Sequence, residues 1–165
     1  MVRRTLLVSL LAAGALAGCG FHLRSSQNYA FQTLAVTPEK GGLVATELIR
    51  YFGRAIVPVV PVRGSAPAQL IVDILEEVRE KTVVGLNAAG QVREFQLKLR
   101  IKMRVRTPLG KELIAPTDVV QQRDISFNES AVLAKEVEES LLYRDMQSDI
   151  VQQVLRRLSA LKSVD

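Results

Sequence analysis

Among its 165 residues the chain has no tryptophan, one histidine and one cysteine, and aromatic side chains make up 5% of it. Each shortage excludes something. With so few aromatic planes there is no stacking platform for single-stranded nucleic acid, and no nucleic-acid partner is expected. A single thiol cannot form an internal disulfide, so the core must hold without a covalent staple. The one histidine, His22, lies just past the one cysteine, Cys19, and before the first periodic segment. Neither a Ser-His-Asp nor a Cys-His arrangement can therefore form within the folded part. Metal sites of the His/Cys type fall on the same ground. Gly41-Gly42 lacks the lysine and the strand-to-helix spacing of a phosphate loop. Carboxylates such as Glu138 and Glu139 read as solvated charge on a helix exterior. No catalytic residue is assigned.

Long apolar runs are also missing. The longest follows Arg3 and Arg4 at the start of the chain and covers roughly 11 residues, where a membrane span needs about 20. A basic start, a short apolar stretch and then small residues make an export signal. The segment ends Leu16-Ala17-Gly18-Cys19. Small residues before the cut let the chain lie extended in a protease groove, and a thiol at the next position can carry a lipid as a thioether. The pattern reads as a lipobox, so residues 1–18 are expected to be removed and Cys19 to carry an N-acyl diacylglycerol. A plain secretory signal with a chance cysteine is the bland alternative. Residues 19–31 show no clear period and read as anchor and linker. Residues 32–165 are one domain of ordinary size.

Within that domain the apolar residues set the elements. Thr33 to Thr37 reads as a short strand stopped by Pro38 and Gly41-Gly42. Val44, Leu48, Tyr51 and Phe52 share one face of a helix ending at Gly53. Residues 56–62, broken by Pro58 and Pro61, read as an edge or connector. Residues 69–84 form a long strand, with Leu70, Val72, Ile74 and Val78 on one side. Asp73, Glu77, Arg79 and Lys81 fall on the other. The clearest signal follows the Asn87–Gly90 turn. Phe95, Leu97, Leu99, Ile101, Met103 and Val105 alternate with polar residues over 92–106, which is a strand with one buried and one wet face. Thr107-Pro108-Leu109-Gly110 is a tight turn. Residues 112–127 return as a fourth strand, irregular at Pro116. Ser126 and Glu129 fit a capping box opening a helix that runs to about residue 162. Leu142, Met146, Ile150, Val154, Leu158 and Leu161 are its apolar stripe.

The order β-α-β-β-β-α predicts an α/β (α+β) two-layer sandwich. Its four-stranded sheet is mainly antiparallel, with two helices on one face and the other face uncovered. On that face Lys98, Arg100, Lys102, Arg104 and Arg106 project in a row, about 7 Å apart. Two readings stand open: a solvated face whose cations are paired by neighbours such as Asp73 and Glu77, or a surface meeting phosphates and carboxylates. Net charge is +5, of which Arg3 and Arg4 supply two, so the partner class is not set by charge alone.

The string Cys19-Gly20-Phe21-His22-Leu23-Arg24 resembles the start of the mature LPS-assembly lipoprotein LptE family. Glu94-Phe95-Gln96-Leu97, leading from the Gly90-Gln91 turn exit, is similar to the family's hairpin. Ala131-Val132-Leu133-Ala134-Lys135 is similar to the start of its last helix. The element order is that of the family as well. The resemblance implies a lipoprotein on the periplasmic side of the outer membrane that plugs the LptD β-barrel one-to-one, aids its assembly and binds lipopolysaccharide. Gly20 after the lipidated cysteine, in place of aspartate, agrees with outer-membrane sorting. By position Lys135 is the best-matched lipopolysaccharide contact. Where some members carry an arginine before the turn, this chain has Ala88, so Arg93 or the basic row would serve instead. An accessory lipoprotein of another envelope lipid-transport complex is the alternative reading, and a lipid-anchored periplasmic enzyme using carboxylates is a third.

Overall fold

A computed structural model of the chain describes residues 28–164. The signal segment, Cys19 and His22 lie outside the described residues. The elements are β1 (Leu34–Thr37), α1 (Leu43–Phe52), β2 (Leu70–Leu86), β3 (Val92–Arg106), β4 (Glu112–Ser126) and α2 (Val132–Ser159). The sheet order is β1-β2-β3-β4. β1 runs parallel to β2, as the α1 crossover between them requires, and the two hairpins make the rest antiparallel. The expected two-layer α+β architecture is the observed one.

Both helices lie on one side of the sheet. Leu97, Leu99, Ile101, Met103 and Val105 of β3 are fully buried there against Met146, Ile150, Val154 and Leu158 of α2 and Val44 and Leu48 of α1. Each such side chain contributes about 1.5–3 kcal/mol by leaving water. Among the described residues the second side is covered at one corner only. Val57 and Val59, in the proline-punctuated connector, pack over Ala35, Ala68 and Ile71. Beside them Val57 N–H donates to the Leu34 carbonyl at 2.9 Å, so the connector borders the β1 edge. No helix among the described residues is long and apolar enough to cross a membrane.

Two local readings are corrected. The pairing of β2 with β3 slips between Ile74 and Glu76, leaving Leu75 as an extra, half-exposed residue. A bulge of this kind swaps faces for everything after it. Glu77, Arg79 and Lys81 therefore face the helices, while Glu76, Val78 and Glu80 face outward beside the basic row. The second correction is at the start of α2. Ser126 ends β4 and does not cap the helix. Asn128 makes the cap, its Oδ1 accepting from Ser130 N–H at 3.0 Å ahead of a short 3₁₀ turn, Glu129–Ala131. The side chain of Glu129, the other half of the expected box, lies outside the described residues.

Candidate functional site

The basic row is where the alternation placed it, and it is matched by acids on both sides. Asp73 stands opposite Arg104, Glu76 opposite Lys102 and Glu80 opposite Lys98 on β2. Asp118 stands opposite Lys102 and Glu112 opposite Arg106 on β4. Arg100 forks onto Glu76 at 3.0 and 3.1 Å and reaches Asp118 at 3.3 Å. The bond to Glu76, then that to Asp118, raises its pKa above the ordinary guanidinium value. Lys98 pairs with Glu80 at 3.3 Å. Lys102 alone of the row forms no ion pair among the described residues. In this arrangement the row is a cross-strand charge ladder, and its cations are largely spoken for.

The row's buried end is Asp73, 4% exposed. Its carboxylate accepts from Arg104 Nε at 2.7 Å, from Arg106 Nε at 2.8 Å and from the Thr37 hydroxyl at 2.8 Å. Burial pushes this carboxyl up, but the bonds from Arg106, Arg104 and Thr37 together outweigh it and hold the group below the usual carboxylate range. Asp73 thus ties β1, β2 and β3 together at one point.

Lys135 lies at the far end of the sheet, apart from the row. It projects from the first turn of α2 into a small cleft of about 80 Å³, walled by Phe95, Phe127 and Val132 and shared with Lys81. Lys135 Nζ donates to Ser126 Oγ at 3.0 Å and to Glu138 Oε2 at 2.8 Å. Lys81 Nζ sits 4.4 Å from the centre of the Phe95 ring and donates to Glu139 at 2.6 Å. Phe95 meets Phe127 edge-on at 5.3 Å. The cleft therefore offers two ammonium groups, that of Lys81 lying over the Phe95 ring, each paired with an acid at the surface. Chemically it can exchange those carboxylates for the phosphate or carboxylate of a ligand.

Arg93 does not join either group. It falls at a break in the β2–β3 register, between Glu94 and Val92, and is exposed. Ala88 sits in a turn organised by Asn87, whose Oδ1 accepts from the N–H groups of Ala89 and Gln91 at 3.0 and 2.9 Å. Lys81 was missed as a cleft residue because its face depends on the Leu75 bulge. The signal for that bulge is the adjacent pair Ile74-Leu75, which breaks strict alternation. Among the described residues no group of three His, Cys, Asp or Glu side chains is arranged to hold a metal ion.

A family model described as "LptE: Lipopolysaccharide-assembly" matches residues 25–158, which takes in every strand and nearly all of α2. The LPS-assembly lipoprotein LptE of Pectobacterium atrosepticum is 30% identical over 156 residues, covering 92% of this chain and 83% of that protein. The protein of the same name from Yersinia enterocolitica is 32% identical, covering 95% of this chain and 77% of its own length. Among solved structures, an uncharacterized lipoprotein B from Nitrosomonas europaea superposes with a TM-score of 0.69 at 33% identity. That match covers 86% of this chain and 91% of the other.

Proposed function

This chain belongs to the LptE lipopolysaccharide-assembly family, and we propose that it acts as a lipid-anchored, non-enzymatic plug of the LptD outer-membrane barrel. In this reading Cys19 carries the acyl chains, the domain sits on the periplasmic side and enters the barrel lumen one-to-one, and lipopolysaccharide touches it on the way to the outer leaflet. The observation that carries the proposal is the family match across residues 25–158.

Three features of the fold support it. A barrel lumen is wet and polar, and the open sheet face is a balanced ladder of charges suited to such a wall. Helix α2 also carries an apolar stripe on its outer side, Leu133, Val137 and Leu141, at 78%, 60% and 48% exposure. The i, i+4, i+8 spacing makes it one continuous strip, as a protein contact needs. The cleft at Lys135 supplies an exchangeable cation for a glycolipid phosphate. Of the basic residues read from sequence, Lys135 is therefore the preferred contact. Lys98, Arg100, Arg104 and Arg106 serve the sheet, while Arg93 and Lys102 carry charge at its surface.

Depletion of the protein in its native cell is expected to lower the amount of correctly assembled barrel and the lipopolysaccharide at the surface. Unchanged barrel levels with intact surface lipopolysaccharide would overturn the proposal.

A further inference from the structure

Three guanidinium groups without carboxylate partners gather away from the basic row. They line a groove of about 610 Å³ between α1 and α2, on the helix side of the molecule. Arg50 comes from the last turn of α1, Arg144 from the middle of α2, and Arg79 from β2 beyond the Leu75 bulge. None of the three forms an ion pair among the described residues. Arg79 is held instead by the Tyr143 ring, 4.9 Å from its guanidinium carbon, which fixes its position without occupying its donors. Two acids share the groove. Glu47 accepts a 2.6 Å hydrogen bond from Gln147, and Asp145 makes no ion pair among the described residues. Among the described residues Leu43 is the groove's one aliphatic lining residue, so an acyl chain would find little to bury against there, while a hydrated anion finds several donors.

We propose that this α1–α2 groove is a phosphate-ester site, in which Arg50, Arg79 and Arg144 fork onto the phosphate oxygens of a sugar-phosphate headgroup. Guanidinium is suited to the task, because its paired N–H groups match two oxygens of one phosphate. The groove also has a direction. Arg79 lines an adjoining groove of about 560 Å³ that reaches Lys81 and Glu139, and those two residues also border the Lys135 cleft. Lys135 and Arg144 are separated by about 13 Å of helical rise. A headgroup carrying more than one phosphate can engage both ends of this trough, with its acyl chains left outside. The proposal deepens the lipopolysaccharide reading above by adding a second point of attachment, and it can fail independently of that reading.

The test uses the full lipidated chain in nonionic detergent. Arginine side-chain N–H resonances are followed by NMR during titration with glucosamine 1-phosphate, glucosamine and inorganic phosphate. Lipopolysaccharide binding is measured in parallel for the wild type, for Arg50→Gln/Arg144→Gln and for Lys135→Glu. All of these side chains except that of Lys135 are exposed, so the double variant should keep wild-type thermal unfolding. The expected result is that resonances of all three arginines move with glucosamine 1-phosphate and not with glucosamine. The double variant should lose about tenfold or more in lipopolysaccharide affinity, while Lys135→Glu keeps the arginine shifts. Equal shifts with inorganic phosphate would keep the site and identify free phosphate as a sufficient ligand. Unmoved arginine resonances, with wild-type lipopolysaccharide affinity in the double variant, would overturn the groove and leave the lipopolysaccharide reading standing. Arginine shifts in a wild type that binds no lipopolysaccharide would keep the groove and remove that reading.

Discussion

Glu77 on β2 accepts a hydrogen bond from the backbone N–H of Leu43, the first residue of α1, at 3.1 Å. The same oxygen, Oε2, accepts from Val44 N–H at 3.2 Å. The helix begins after Gly42, at φ 76°, which has no side chain to offer as a cap. A strand residue on the neighbouring layer supplies the missing acceptor, and its negative charge sits where the helix dipole favours it. This contact exists only because the Leu75 bulge turns Glu77 toward the helices.

Glu77→Ala should therefore cost about 1 kcal/mol of stability, in the range of a lost helix cap. Glu77→Gln keeps an acceptor oxygen and should cost less. Urea unfolding followed by circular dichroism measures both, and an alanine variant as stable as wild type would remove the cross-layer cap from the account.

Asp73 makes a larger and pH-dependent contribution. Asp73→Asn leaves Arg104 and Arg106 without their shared carboxylate and should destabilise by about 2–4 kcal/mol. Because the folded-state pKa is depressed, the stabilisation is fully present above the ordinary value of 3.8 and is lost as pH falls through the lower folded value. Wild type should lose stability steeply below about pH 4. The asparagine variant should show a flatter acid limb. Parallel acid limbs for the two proteins would contradict this assignment.

The basic row and the Lys135 cleft should separate in their phenotypes. Arg100→Glu brings a third carboxylate up to Glu76 and Asp118 and should lower stability measurably. Lys135→Glu loses a surface pair with Glu138 and a hydrogen bond to Ser126, together about 1 kcal/mol. Its effect should fall on lipopolysaccharide binding instead. Thermal unfolding and a binding assay on the two variants would show this crossing, and the reverse pattern would return the ligand site to the sheet.

Gly85 marks a close approach in the β2–β3 hairpin. A Cβ there would lie 2.9 Å from Glu94 Cβ, too near for either chain to stay in place. Gly85→Val should shift the hairpin end and cost about 1–3 kcal/mol, as overpacking does. Amide exchange at Val83 and Glu94 reports it, and unaltered protection would show that the hairpin adjusts freely.

Much of the architecture was legible because it rests on repeating contrasts of polarity. The alternation from Phe95 to Val105 and the stripe from Leu142 to Leu158 appear in the structure as the inner faces of β3 and α2, with Leu161 packed just past the helix end. Thr107–Gly110 turns as its proline and glycine demand, with Gly110 at φ 92°. What the pattern missed hangs on single-residue events. One extra residue at Leu75 reversed the faces of Glu77, Arg79 and Lys81, moving an acid off the row and two cations onto the helix side. The cap at Asn128 sits two residues past Ser126, and both types are good caps, so composition does not choose between them. The row itself was legible as a row. Its neutralisation stood as one of two readings: Asp73 pairs with the row as that reading expected, but past the Leu75 bulge Glu76 and Glu80 take the place expected of Glu77.

The most direct measurement is capture of the tagged, full-length protein from detergent-solubilised native membranes, with intact-mass analysis of everything recovered. An equimolar large β-barrel is expected, together with a chain whose mature N-terminus is an acylated Cys19. Recovery of a different transport complex, or of an unacylated chain with no barrel, would contradict it.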